Sequence, residues 1–299
     1  MLIKEVLYSR HSSHSFVLTV LFGTCGWSYQ EWVGAFYPNN RVAKLPFYSK
    51  VFESVEVDSS FYRPPSKSMT AGWARATPPG FKFSLKIPKT ITHDKKLVGA
   101  ERDLFEFLER IEPITKAGKL GCLLIQFPAS FTYKEKGVLE RFFDLLPPTV
   151  HFAAEFRHES WDRDETWDIL RRHNVANTIT DSPIEFLSNP VITATSHAYV
   201  RWHGRGKPVW YDYRYSEQEL TSWKQKLDRI ERQTPNVYAY FNNHYGANAP
   251  SNLLSLLDMR GELDEMQARA IKRAERMQKR QSAATPPPST TISRLTDYL

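Results

Sequence analysis

A chain of 299 residues has room for one large domain or two small ones, and 41% apolar with 24% charged residues is ordinary globular composition, which excludes a disordered or fibrous chain. The net charge of +7 and pI near 9.2 allow an acidic, phosphorylated or nucleic-acid partner without requiring one. Two cysteines, Cys25 and Cys122, are too few for a disulfide scaffold and fit no zinc spacing, so a reducing, cytoplasmic setting is expected.

Residues 1–15 read as an N-terminal extension. The apolar run from Phe16 to Phe22 follows Lys4 and Arg10 and precedes Cys25, which loosely imitates an export leader. It is short for that purpose, and it opens a pattern that continues to the far end. Strands are expected at 19–24, 54–59, 81–87, 120–127, 150–156, 175–180, 197–202 and 236–241, from short β-branched or aromatic runs. Several, such as Leu120 to Ile125, are apolar without alternation, as parallel strands buried on both faces should be.

Amphipathic helices are expected between them at 44–52, 67–76, 101–117, 133–146, 163–173, 216–232 and 249–257. Ser216 and Glu219 form a capping-box pair at the start of one of these. The stretch 182–190, short and bounded by Pro183 and Pro190, is a poor helix. Strands alternating with helices in this number make a single closed (β/α)8 TIM barrel the economical fold, over 16–261. A polar helix at 262–281, rich in Lys and Arg, and a linker-like tail at 282–299 follow it. No segment approaches the ~20 apolar residues of a membrane span, so no membrane partner is expected.

Barrels of this kind build their chemistry at the carboxyl ends of the strands and in the loops beyond. Those positions hold Trp27 and Tyr29, then Asp58, Tyr62 and Arg63, then Lys86, with Thr92 and His93 shortly after. Further on they hold Gln126, Glu155, Arg157, Trp161, Asp181, Arg201, His203, Asn242 and Asn243. Glu56 and Asp58 share a parity, as do Glu155 and Arg157, so buried ion pairs that also engage Arg201 are one reading of these charges. The other is chemistry, with Glu155 or Asp58 as base, His203 as proton donor or orienter, and Lys86, Arg157 and Arg201 holding an anion. Cys25 has no base to activate it. No nucleotide-cofactor motif occurs, and the His and carboxylate spacing gives a divalent metal poor support.

The same residues carry a resemblance. The segment Gly23-Thr24-Cys25-Gly26-Trp27-Ser28-Tyr29 with Trp32 to Pro38 is similar to the opening signature of the domain of unknown function 72, or YecE-like, family. Val55 to Arg63, Phe83 to Lys86 with Thr92-His93, Ala154 to Trp161, Tyr199 to Gly204 and Tyr240 to Asn243 resemble its later blocks in order. This resemblance implies a TIM barrel with likeness to endonuclease IV and sugar isomerase barrels. It implies no settled activity. Cys25, Asp58 and Trp202 depart from the family pattern, and Asp58 adds a negative charge to the pocket.

Three functions follow from the strand-end constellation. The first is an enzyme acting on a phosphorylated or polyhydroxylated small molecule or a nucleic-acid end. The second is a nucleic-acid-binding protein that does not hydrolyse its ligand, and the third a ligand-binding sensor or scaffold. Oligomeric state is not readable.

Overall fold

The computed structural model describes residues 19–283. The expected extension at 1–15 and nearly all of the tail at 282–299 lie outside them. Eight strands run in parallel: β1 (Thr19–Thr24), β2 (Ser54–Val57), β3 (Lys82–Lys86), β4 (Leu120–Gln126), β5 (His151–Glu155), β6 (Val175–Asp181), β7 (His197–Trp202) and β8 (Asn236–Phe241). Each pairs with its sequence neighbour from β2 to β8, and β1 pairs with β8. The protein is an α/β (β/α)8 barrel.

The ring closes between β1 and β2 by an unusual seam. One bridge joins Cys25 and Glu56, with Gly26 N–H donating to Glu56 O at 2.8 Å. Below it, the Tyr48 hydroxyl spans the strands, accepting from Thr24 N–H at 2.8 Å and donating to Ser54 O at 3.0 Å. Gly23 allows this approach, since a Cβ there would lie 2.1 Å from Ser54 O.

Helices α1 (Lys44–Tyr48), α2 (Lys67–Ala76), α3 (Glu101–Arg110), α4 (Glu112–Lys116), α5 (Lys136–Phe143), α6 (Asp164–Arg172), α7 (Glu217–Glu231) and α8 (Asn248–Arg260) surround the strands. The expected helix at 101–117 divides at Ile111, because Pro113 has no N–H and its ring would collide with the turn before it. Between β6 and β7 only a 3-10 turn forms, Glu185–Ser188. The capping box at Ser216 and Glu219 is present. The last helix, α9 (Glu265–Ala283), packs on the barrel through buried Ala270 and Ala274, and Gln267 Nε2 donates to Val51 O at 2.9 Å. No helix among the described residues is long and apolar enough to cross a membrane.

The outer core between strands and helices is aliphatic and aromatic. The barrel interior differs. Leu21, Ala153, Ala176, Tyr238, Tyr240 and Tyr199 fill its lower layers, where bulky branched side chains usually dominate. The Tyr240 hydroxyl lies 2.6 Å from Ser54 Oγ and 2.8 Å from Ser84 Oγ, so these rings are anchored as well as packed. The interior is therefore polar before the top layer is reached, and the top layer is charged.

Candidate functional site at the barrel mouth

Arg201, near the end of β7, is fully buried at the centre of that top layer. Its Nη2 donates to Glu56 Oε1 at 2.7 Å and its Nη1 to Glu155 Oε2 at 2.8 Å. Glu56 also accepts from the Tyr199 hydroxyl at 2.7 Å and from the Cys25 thiol at 3.1 Å, while Glu155 pairs with Arg157. Asp58 lies 3.3 Å from Lys86 Nζ and 3.8 Å from Arg201 Nη2. Three carboxylates (Glu56, Asp58, Glu155) thus meet three cations (Lys86, Arg157, Arg201), and the formal charges cancel.

These partners decide the protonation states. Burial pushes the Glu155 carboxyl up, but Arg157 and Arg201 outweigh it and hold the group well below the usual carboxylate range. Burial likewise works against Asp58, and Lys86 with Arg201 keep it lowered. Burial, reinforced by Glu56, pushes the Cys25 thiol well up, so it is no thiolate nucleophile.

His203 is fully buried beside this network, and burial together with Arg201 lowers it to about 4. Its Nε2 is 3.4 Å from both Arg157 Nη2 and Arg201 Nη1, and its Nδ1 is 2.9 Å from the Asn242 side-chain amide. Asn242 Nδ2–H donates to Nδ1, and Nε2 faces Glu155 Oε1 at 3.8 Å as well as the two guanidinium groups. Gly204 follows with φ of +85°, and a Cβ there would lie 2.6 Å from Trp210 O and from Tyr213 Cβ. Only glycine lets the segment beyond β7 fold back this closely.

That fold-back brings Tyr211 over the mouth, edge-on to His203 at 5.8 Å and stacked on His244 at 5.7 Å. His244 in turn stacks on Tyr29 at 4.6 Å. On the opposite side Phe61 has Lys86 Nζ 4.2 Å above its ring and His93 edge-on at 4.8 Å. Tyr211, His244, Phe61 and His93 extend the candidate set. His93 and His244 stood in motif or strand-end segments, whereas Tyr211 lies in an aperiodic connection where nothing in the sequence marks it.

The other expected residues divide. Gln126 pairs in register with Glu155 at the top of β4. Tyr62 and Arg63 are exposed just beyond Phe61. Trp27 turns away and packs edge-on against Trp73 of α2 at 5.6 Å. Three expectations need correction. Trp161, expected among the residues of the mouth, is closed to a ligand, because it is buried among Phe131 and Phe156 and donates to Phe131 O at 2.8 Å. Asp181 points outward, where it accepts from Trp223 of α7 and from Arg205 Nε at 2.8 Å. Asn243 is fully buried and holds Tyr213 O at 2.8 Å and Asn252 Oδ1 at 2.9 Å, so it clamps the fold-back rather than a ligand.

The donor set does not fit a divalent metal. Glu56 spends its oxygens on Arg201 and the Tyr199 hydroxyl, Glu155 spends its own on Arg201 and Arg157, and no three His, Cys, Asp or Glu among the described residues converge as ligands.

Comparison with known proteins agrees with this architecture. Residues 21–279 match the family model described as "Protein of unknown function DUF72". The UPF0759 protein YunF of Bacillus subtilis (strain 168) is 29% identical over 271 residues, spanning 80% of this chain and 95% of that one. The UPF0759 protein YecE of Escherichia coli (strain K12) is 29% identical over 195 residues, 63% of this chain and 67% of its own. The crystal structure of a DUF72 family protein from Thermotoga maritima superposes with a TM-score of 0.74 at 34% identity, over 81% of this chain and 99% of that one. One from Enterococcus faecalis V583 gives 0.70 at 22% identity, over 83% and 100%. The chain belongs to the DUF72 family.

Proposed function

We propose that the barrel mouth binds a small phosphorylated or polyhydroxylated molecule, and that the protein is an enzyme acting on it with Asp58 as the group that moves a proton. One observation carries this reading. Of the charged network only three side chains reach solvent, Asp58 at 32% exposed, Arg157 at 14% and Lys86 at 9%, and they do so between Phe61 on one side and the Tyr29, His244 and Tyr211 rings on the other. A carboxylate, two donor-rich cations and ring faces are what binding hydroxyl-bearing or anionic groups requires.

Catalytic work narrows accordingly from the expected trio of Glu155, Asp58 and His203. Glu155 is enclosed with its oxygens facing arginines, and a base needs a lone pair within reach of its proton. It positions Arg157 and Arg201. His203, enclosed and neutral, is a second positioning residue, with Asn242 holding its ring.

The test is thermal stabilisation and turnover across neutral polyols, sugar phosphates and sugar acids, for the wild type and Asp58→Asn. The expected outcome is stabilisation of both by at least one class, with turnover only in the wild type. Stabilisation without wild-type turnover replaces the enzyme by a sensor. No small-molecule effect, with binding to single-stranded oligonucleotide that weakens steeply between ~50 and ~200 mM salt, replaces it by a nucleic-acid binder.

A further inference from the structure

Of the charge-balanced network, Lys86 and Arg157 are the two cations that reach solvent, and both act on His93. We infer that Lys86, His93 and Arg157 form an anion subsite at the mouth, which takes the phosphate or carboxylate end of the ligand, and that filling it draws a proton onto His93. This rests on the small-molecule reading above and specifies its polar end.

Phe61 is the floor of the corner, with Lys86 Nζ over its face and the His93 ring against it. Arg157 stands across the mouth. Its Nη2 pairs with Glu155, while its Nε is buried and has no hydrogen-bond acceptor, which is costly for a guanidinium donor. The charged groups that act most strongly on His93 are Lys86 from β3, Arg157 from beyond β5, and Lys89 and Asp94 from its own turn, with Asp58 and Glu155 behind them as the partners of Lys86 and Arg157. Lys89 and Asp94 partly offset each other at 3.9 Å, so Lys86 and Arg157, each already holding one carboxylate, set the field at the ring. Thr92 Oγ1 lies 2.9 Å from His93 Nδ1 and fixes the ring, and His93 is partly exposed.

Burial and these cations, led by Lys86, lower His93 to about 4, so the empty corner holds it neutral. An anion held by Lys86 and Arg157 offsets their field at the imidazole and favours its charged form. Linkage then makes the effect reciprocal: the anion raises the proton affinity of His93, and the proton raises the affinity for the anion. Acid therefore strengthens binding. A neutral polyol gains nothing from this corner.

Sulfate is the probe, because it carries no titrating proton between pH 5 and 7. Calorimetric titration of the full chain at pH 5.5 in piperazine and in pyridine, cationic buffers of different ionisation enthalpy that carry no competing carboxylate, reads the protons exchanged. If sulfate lifts His93 to about 6, roughly 0.7 of a proton is taken up per sulfate, and affinity rises roughly tenfold from pH 7 to pH 5. His93→Gln should still bind sulfate but lose both the buffer dependence and the pH dependence. Arg157→Gln should weaken binding at least about tenfold. Binding without proton uptake, or an unchanged pH dependence in His93→Gln, overturns the inference. So does stabilisation by neutral polyols without any response to sulfate, which leaves the small-molecule reading standing. Silence to every small molecule removes both. Glycerol phosphate against glycerate then separates a phosphoryl end from a carboxylate end.

Discussion

Arg201 decides whether the mouth is stable as well as how it is charged. Burial alone would weaken its charge, yet Glu56 and Glu155 hold its pKa well above the ordinary arginine value, so it is a permanent cation between two fixed anions. Arg201→Met removes the cation and keeps the volume. Glu56 then retains Tyr199 and Cys25, and Glu155 retains Arg157, but each buried carboxylate has lost a charge partner. Breaking such a pair from one side costs about 3–5 kcal/mol. The cost should depend on pH with a definite sign. Without Arg201 the carboxylates rise in pKa and take up protons as pH falls from 7.5 to 5, which relieves the repulsion, while the wild type gains nothing from that change. Urea unfolding at the two pH values should show the deficit narrowing at pH 5. An equal deficit at both would mean that the guanidinium is mere packing.

At the scale of elements, the β1–β2 seam is where the barrel is least conventionally held. Tyr48 supplies with one hydroxyl what a ladder would supply with backbone, and it is fully buried. Tyr48→Phe leaves Thr24 N–H and Ser54 O without that partner, at about 1–3 kcal/mol for each unsatisfied group. A loss of roughly 2–4 kcal/mol is expected, with faster amide exchange at Thr24 than at Cys25, whose N–H donates to Phe241 O of β8 at 2.9 Å. Exchange rising equally at both would place the weakness elsewhere. The elements also show what local sequence can and cannot convey. β2 was expected through Ser59 but stops at Val57, because the Ser60 hydroxyl takes over, 2.6 Å from Val57 O and 2.7 Å from Lys86 O, and turns the chain into a 3-10 turn. Asp181 and Arg201 both sit at strand ends, yet one leaves the barrel and the other fills it. In β6 the inward residues are Ala176, Thr178 and Thr180, so Asp181 has outward parity; position marked it and parity excluded it.

For the whole molecule, the barrel was legible because eight buried parallel strands need near-continuous apolar runs, as at Leu120 to Ile125. The connections were not, since Tyr211 reaches the mouth through a fold-back that Gly204, Asn243 and Asn252 impose from three separate segments. The far end of the barrel shows a consequence of the polar interior that concerns the entire fold. There His151 and His197 stack at 4.2 Å, His151 Nδ1 lies 2.9 Å from the Tyr238 hydroxyl, and His197 Nε2 donates to Phe152 O at 2.8 Å. Burial, with His151 as neighbour, lowers His197 to about 3, and burial lowers His151 too. With His93 and His203 at about 4, both ends of the barrel contain histidines that the folded state keeps neutral. The unfolded chain protonates each near 6.5, so their contribution is complete above that pH and is lost as pH falls toward the folded values. The slope is about 1.4 kcal/mol per pH unit for each such histidine. Glu155 and Asp58, whose folded values are depressed, add their own loss from about pH 5 downward, where the unfolded carboxylates begin to protonate. The decline should therefore begin with the histidines near pH 6.5 and steepen below about pH 5, where the carboxylates join them. His197→Gln should cost stability at pH 8, where the Phe152 contact is disturbed, and should flatten the decline by one proton's slope from pH 6.5 down to about 3, leaving the share of Glu155 and Asp58 in place. Unfolding free energy against pH for the two proteins checks this, and parallel curves between pH 6.5 and 4.5 would show that His197 is not a group the fold holds neutral.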